Sequence, residues 1–155
     1  MLAELLASAA LTPATFAPAP GWHVGVGTVH ACPGFRVAEC RNVSSFAATV
    51  PWSDCPQCLP HRTVEHLRPD GIALQLQIGV GPREPKWVRP LRWPPNIHTV
   101  ASLEGLPGRI GVVQKIGFVN GRTTSLFVFF GRPKPTTRQV ARARTELATV
   151  MFPRR

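Results

Sequence analysis

Residues 109–132, RIGVVQKIGFVNGRTTSLFVFFGR, carry the strongest structural signal in the chain. Asn120-Gly121 lies near the middle, and both residues tolerate the positive φ angles of a two-residue hairpin turn. The flanks, residues 110–119 and 123–130, are rich in the β-branched and aromatic side chains that favour strands. The stretch therefore predicts an antiparallel hairpin over about residues 110–130.

Further strands are predicted upstream of this hairpin. Residues 71–80, GIALQLQIGV, alternate large apolar residues with Gly, Ala and Gln, which is the pattern of a strand with one face in the core. Residues 22–32 and 35–40 flank the turn dipeptide Pro33-Gly34, so a second hairpin is expected over about residues 22–40. Residues 42–50, NVSSFAATV, are a candidate for one more strand.

A helix is predicted at the C-terminal end, over residues 136–151. Thr136 and Gln139 have the spacing of a capping box, and Pro153 follows the predicted end. An apolar stripe runs along one side and is formed by Val140, Ala143, Leu147, Val150 and Met151. A small, mainly antiparallel sheet with this helix packed on one face is an α+β fold.

The composition divides the chain into two parts. Residues 1–21 contain a short apolar piece, then Ala-Ser-Ala and a Pro/Ala-rich tract, which predicts a truncated signal-like or linker segment. Residues 22–155 have the size of a single domain, with all four cysteines in its N-terminal half and a basic C-terminal half. No stretch approaches the ~18–20 apolar residues of a membrane span.

The four cysteines, Cys32, Cys40, Cys55 and Cys58, allow two structural interpretations. An even count in a small, loop-rich chain favours two disulfides, with Cys32–Cys40 and Cys55–Cys58 as the most local pairing. The alternative is a structural zinc site, because four thiolates suffice as ligands. Only the second pair has the two-residue spacing of a zinc knuckle.

Residues 44–58, SSFAATVPWSDCPQC, resemble the arrangement of strand, tryptophan and C-x-x-C motif in thioredoxin-like proteins. That resemblance implies a thiol–disulfide oxidoreductase in which Cys55 is the nucleophile and Cys58 the resolving thiol. The proline at position 60 and the hairpin that precedes the motif depart from the family pattern.

The net charge of +10 arises from the region after residue 60, which holds sixteen basic against five acidic side chains. Arginine dominates, and guanidinium groups bind phosphate in a bidentate way, although coding bias also enriches arginine. A proline-rich segment at 82–96 adds tryptophans among the cations, as in surfaces that stack on bases and bind phosphates. The candidate anion or nucleic-acid contacts are Arg83, Lys86, Trp87, Arg89, Arg92, Trp93, Arg138 and Arg142.

No motif of a conventional hydrolase, kinase or dehydrogenase is present, so we expect a chain without catalytic activity of a known type. The sequence predicts a small exported, disulfide-stapled structural or binding module, secreted or at the cell surface, without a cofactor. Its expected partner is a polyanionic surface or another protein. The alternatives are a cytoplasmic, zinc-containing nucleic-acid-binding protein and the oxidoreductase that uses Cys55 and Cys58.

Overall fold

The computed structural model describes residues 11–37, 39–80 and 88–154. The elements in those ranges are β1 (His23–Val26), β2 (His30–Ala31), β3 (Arg41–Ala48), α1 (His61–Glu65), β4 (Ile72–Val80), β5 (Gly111–Val119), β6 (Arg122–Phe130) and α2 (Thr137–Ala148). The strands form one open sheet in the order β1-β3-β4-β6-β5, with β2 also beside β3, and all of these pairings are antiparallel. The predicted α+β fold is confirmed.

The hairpin predicted around Asn120-Gly121 is formed by β5 and β6. Both turn residues have positive φ, 51° at Asn120 and 71° at Gly121, and Val119 pairs with Arg122 across the turn. Strand β6 also pairs with β4 along almost its whole length, so the hairpin lies at one edge of the sheet and is joined to its centre.

The N-terminal hairpin differs from the prediction in its second strand. The described residues of this segment, 35–37, 39 and 40, are not in a strand, and β1 and β2 pair with β3, the candidate strand at 42–50. The reason is burial: Phe35 and Val37 are 48% and 49% exposed, whereas Val43 and Ala47 on β3 are buried. Phe35 and Val37 would share one face of a strand over 35–40, but neither is buried in the structure, whereas most apolar side chains of β3 are.

Helix α2 packs on one face of the sheet, as predicted, but is shorter than residues 136–151. Thr136 is its N-cap and forms the predicted capping box with Gln139. The helix buries Val140, Ala143 and Leu147 against the core face of β4 and β6. Val150 and Met151 lie beyond the last helical residue, and Met151 is exposed because its backbone pairs with Thr15 instead.

The opposite face of the sheet is covered by α1 and by the segments on either side of it. Val64 and Leu67 pack there against Ala73 and Phe129, with Ile110 beside them. The described part of the fold therefore has three layers, with α2 on one side of the sheet and the α1 region on the other.

The described residues of the predicted N-terminal linker lie against the domain. Leu11, Ala14 and Phe16 are buried in the same core as α2. Thr15 exchanges two backbone hydrogen bonds with Met151, of 3.0 and 2.9 Å. This segment leads directly to Trp22, which packs against the same core.

Candidate functional site

The cysteines form two local disulfides, Cys32–Cys40 and Cys55–Cys58. Their Cα atoms are 5.4 and 5.2 Å apart, which is within the range for disulfide geometry. The predicted disulfide pairing is therefore confirmed. Disulfides persist mainly in oxidising compartments, so the two bonds indicate an environment outside the cytoplasm.

The Cys55–Cys58 bond closes a turn that is fastened to the sheet by Gln75. The side-chain amide nitrogen of Gln75 donates hydrogen bonds to the carbonyl oxygens of Pro56 and Cys58, at 2.8 and 2.7 Å. Pro56 also packs on Gly27, where an added β-carbon would lie 2.8 Å from the Pro56 ring. The turn is therefore fixed to β4 through Gln75 and packs against the end of β1 through Gly27.

Asp54, beside this turn, organises the start of α1. Its carboxylate accepts hydrogen bonds from the backbone N–H and hydroxyl of Thr63, at 2.8 and 2.6 Å, and from the N–H of Arg62 at 3.2 Å. Burial opposes the charged form, but these hydrogen bonds outweigh it and hold the pKa of Asp54 below its ordinary value. Asp54 is therefore a structural acceptor for the loop between β3 and α1.

The resemblance of residues 44–58 to thioredoxin-like proteins does not extend to the surrounding fold. Helix α1 has five residues and begins at His61, and β3, which leads into the motif, has only antiparallel neighbours. Within residues 11–37, 39–80 and 88–154, no three His, Cys, Asp or Glu side chains are grouped as metal ligands. In the same residues, no helix has the length and apolar composition needed to cross a bilayer.

The predicted aromatic and basic contacts are dispersed in the structure. Arg83, Lys86 and Trp87 lie outside the described residues. Trp93 packs against the core, where its indole N–H donates to the carbonyl of Leu147 at 2.7 Å and its ring meets Phe152 edge to face. Trp93 is therefore half-buried next to α2.

The cations of this region face outward. Arg89 and Arg92 are exposed on either side of Leu91. On α2, Arg138, Arg142 and Arg144 are exposed, while the helix's acidic residue, Glu146, is buried. Burial raises the pKa of Glu146, and the charge of Arg142 partly opposes that shift. The solvent face of α2 is thus made of arginine, threonine and alanine.

Arg142 and a second arginine, Arg68, both line a groove of about 390 Å³ between α2 and the turn before β4. The groove is lined by Gly21, Thr49, Val50, Pro51, Arg68, Asp70, Gly71 and Arg142. Two guanidinium groups and one carboxylate line this groove, so its formal charge is positive. We define these residues, together with Trp22, as the arginine groove.

Arg142 is positioned by two neighbours at the end of the N-terminal segment. Its guanidinium carbon lies 5.2 Å from the centroid of the Trp22 ring, in a cation–π contact. Gly21 has a φ of 81°, and a β-carbon there would lie 3.1 Å from Nη2 of Arg142. The positive φ favours glycine at this position, and a β-carbon there would displace the end of the Arg142 side chain by a few tenths of an ångström.

Arg68 lies on a turn that is clamped from two other elements. Gln139 of α2 donates from its side-chain amide to the carbonyls of Pro69 and Gly71, at 2.9 and 3.3 Å. Arg132 donates to the same Pro69 carbonyl at 3.0 Å. These contacts join the backbone of the turn to the helix that carries Arg142, and so hold the two arginine positions next to each other.

The sequence predicted Arg142 as a contact but missed Arg68, Trp22 and Gly21. These residues come from separate parts of the chain, and only the tertiary structure brings them together. Comparison with family models, with curated protein sequences and with solved structures gave no match. The interpretation of the site therefore depends on the chain's own residues.

Proposed function

We propose that this protein is an extracytoplasmic binding module, stapled by two disulfides, that holds an anionic group of a polyanionic partner in the arginine groove. The main support is the convergence of Arg68 and Arg142 on one groove, with Arg142 already held on Trp22. Guanidinium groups bind phosphate or sulfate oxygens through paired hydrogen bonds. A guanidinium that is held in place before binding loses less conformational entropy when the ligand arrives.

The outer face of α2 extends this contact along a polymeric ligand. Arg138, one helical turn before Arg142, is exposed on the same side of the helix, whereas Arg144 lies on a different side. One anionic group would occupy the groove, and neighbouring groups of the same polymer would meet the helix. Because exposed charges are screened by salt, such binding weakens as ionic strength rises.

The first experiment is a calorimetric titration with tripolyphosphate at low salt. Arg68→Gln and Arg142→Gln are each expected to weaken binding about tenfold, which is ~1.4 kcal/mol. The matched control is Arg122→Gln, because Arg122 begins β6 at the far end of the sheet from the groove. It removes the same charge and is expected to change the affinity less than about twofold.

Equal losses in all three variants would contradict a specific site and leave only a net-charge effect. Much tighter binding of a single-stranded oligonucleotide than of polyphosphate with the same charge would instead favour the nucleic-acid alternative.

Intact mass without reductant, with metal analysis of the same natively produced sample, tests the disulfide-stapled state. The proposal requires a mass four hydrogens below that of the fully reduced chain, since each of two disulfides removes two hydrogens. A full-mass chain that holds zinc would support the cytoplasmic alternative and remove the basis for export.

A further inference from the structure

A second site, independent of the arginine groove, lies on the other face of the sheet. Here the turn closed by Cys55–Cys58 stands over β3, β4 and β6 and encloses a cavity of about 170 Å³. Its lining residues are Ser44, Gln57, Leu59, Gln75, Gln77 and Phe127. We propose that this cavity binds a small neutral ligand with adjacent hydroxyl groups, of the size and chemistry of one sugar residue.

The lining excludes charged ligands by its composition. None of the six side chains carries a formal charge, so an ion that entered would lose its hydration without a counter-charge. Three of the six are glutamines, whose amide groups combine donors with an acceptor, and one is a serine. A hydroxyl group also donates and accepts, so adjacent hydroxyls match this lining.

Two of the lining glutamines, Gln75 and Gln77, have polar contacts within the protein that orient their side-chain amides. Both hydrogens of the Gln75 amide are used by Pro56 and Cys58, so its oxygen remains as the acceptor. The Gln77 amide nitrogen lies 3.3 Å from Nε2 of His30, which holds the end of that side chain. The amides of Gln75 and Gln77 are therefore held before a ligand arrives.

Ser44 supplies an independent observation. It is 1% exposed, it forms part of the cavity floor, and its hydroxyl has no hydrogen-bond partner. A buried hydroxyl without a partner costs about 1–3 kcal/mol, so native structures seldom leave one unsatisfied. The hydroxyl oxygen is closed off from solvent, so a ligand hydroxyl would become its partner only after the lining side chains move slightly apart.

The apolar part of the lining fits the remaining surface of such a ligand. Phe127 stands directly opposite Gln75 in the pairing of β4 with β6, and Leu59 closes the cavity from the loop. An aromatic ring beside polar amides suits a sugar, which has apolar C–H faces and hydroxylated edges. The cavity, at about 170 Å³, is smaller than the roughly 300–1,000 Å³ of common ligand sites, so it suits a single small ring and not a chain of sugars.

The test observes the glutamine side chains directly. The folded, oxidised protein is titrated with D-glucose and, separately, with urea, while the side-chain NH₂ signals of Gln57, Gln75 and Gln77 are followed by NMR. The proposal predicts saturable shifts with glucose at millimolar concentrations, and weaker, non-saturating shifts with urea. Absence of saturation with glucose up to 100 mM, or equal responses to both, would overturn it and leave a water-filled cavity.

Two variants connect the signal to the cavity. Gln77→Leu is expected to weaken glucose binding at least tenfold, while Thr145→Val, at an exposed position on α2 on the opposite side of the sheet, is the control without effect. Gln57→Ala is the second test because Gln57 is exposed on the loop and its loss does not threaten folding. Unchanged glucose affinity in folded Gln77→Leu and Gln57→Ala would place any binding elsewhere and refute the proposal.

Discussion

Gln139→Leu is the perturbation that most directly tests how the arginine groove is held together. Gln139 is buried, and its side chain makes four hydrogen bonds: it accepts from the N–H and the hydroxyl of Thr136 and donates to the carbonyls of Pro69 and Gly71. Leucine has a similar size but makes none of them. The substitution therefore removes the link between α2 and the turn that carries Arg68.

The loss of stability in Gln139→Leu depends on which hydrogen bonds the former partners of Gln139 keep. Each lost hydrogen bond costs about 0.5–1.5 kcal/mol. The carbonyl of Pro69 keeps its bond from Arg132, and that of Gly71 keeps its bond from the N–H of Gly131, so neither is left unsatisfied. The added apolar surface of leucine offsets part of the loss. We expect the free energy of unfolding to fall by about 2 kcal/mol.

Urea unfolding at pH 7 with intact disulfides measures this change. The control is Gln114→Leu, the same chemical change at an exposed position, which is expected to stay within about 0.5 kcal/mol of the wild type. A loss below about 0.5 kcal/mol in Gln139→Leu would refute the role assigned to this side chain. Tripolyphosphate affinity should fall in the same variant, because Arg68 loses its support.

Three further changes test other parts of the structure. The double variant Cys32→Ser/Cys40→Ser should lose about 2–3 kcal/mol of stability in denaturant unfolding, since that disulfide closes a short loop with a sequence separation of 8; full stability would contradict the pairing. Asp54→Asn should be less stable than the wild type at pH 7, because the lowered pKa of Asp54 gives stability above its unfolded pKa of about 3.9. The difference in stability between Asp54→Asn and the wild type should vanish as the pH falls through the pKa of Asp54 in the folded protein. A difference that does not change with pH would contradict the role of the Asp54 charge. Glu146→Gln should be more stable than the wild type at pH 7, because the raised pKa of Glu146 makes the wild type lose stability as the pH rises above about 4.3. The two should coincide near pH 3, and a less stable variant at pH 7 would show that the carboxylate is satisfied.

Features set by neighbouring residues were predictable from the sequence. The Asn120-Gly121 turn, the Thr136–Gln139 capping box and the strand β4 all depend on local geometry, and the structure contains each of them, although β4 is buried on both faces and not on one. The local cysteine pairing was predicted for the same reason, because a short loop brings Cys32 and Cys40 together.

Features that depend on long-range packing were not predictable from local patterns. The Pro33-Gly34 turn indicated a strand over 35–40. In the structure, β1 and β2 pair instead with β3, whose apolar side chains are mostly buried. The composition of residues 11–21 indicated a linker, whereas three apolar side chains of this segment lie in the core. The groove and the cavity need residues from several strands and loops, and no single stretch of sequence contains either.

The most direct test of the arginine groove observes its guanidinium groups. The Nε–Hε signals of the arginines are followed by NMR while the oxidised protein is titrated with tripolyphosphate. We expect the signals of Arg68 and Arg142 to shift together, to saturate and to give one dissociation constant, while that of Arg122 stays unchanged. Small shifts of similar size at all exposed arginines, or saturation at a pair other than Arg68 and Arg142, would contradict it.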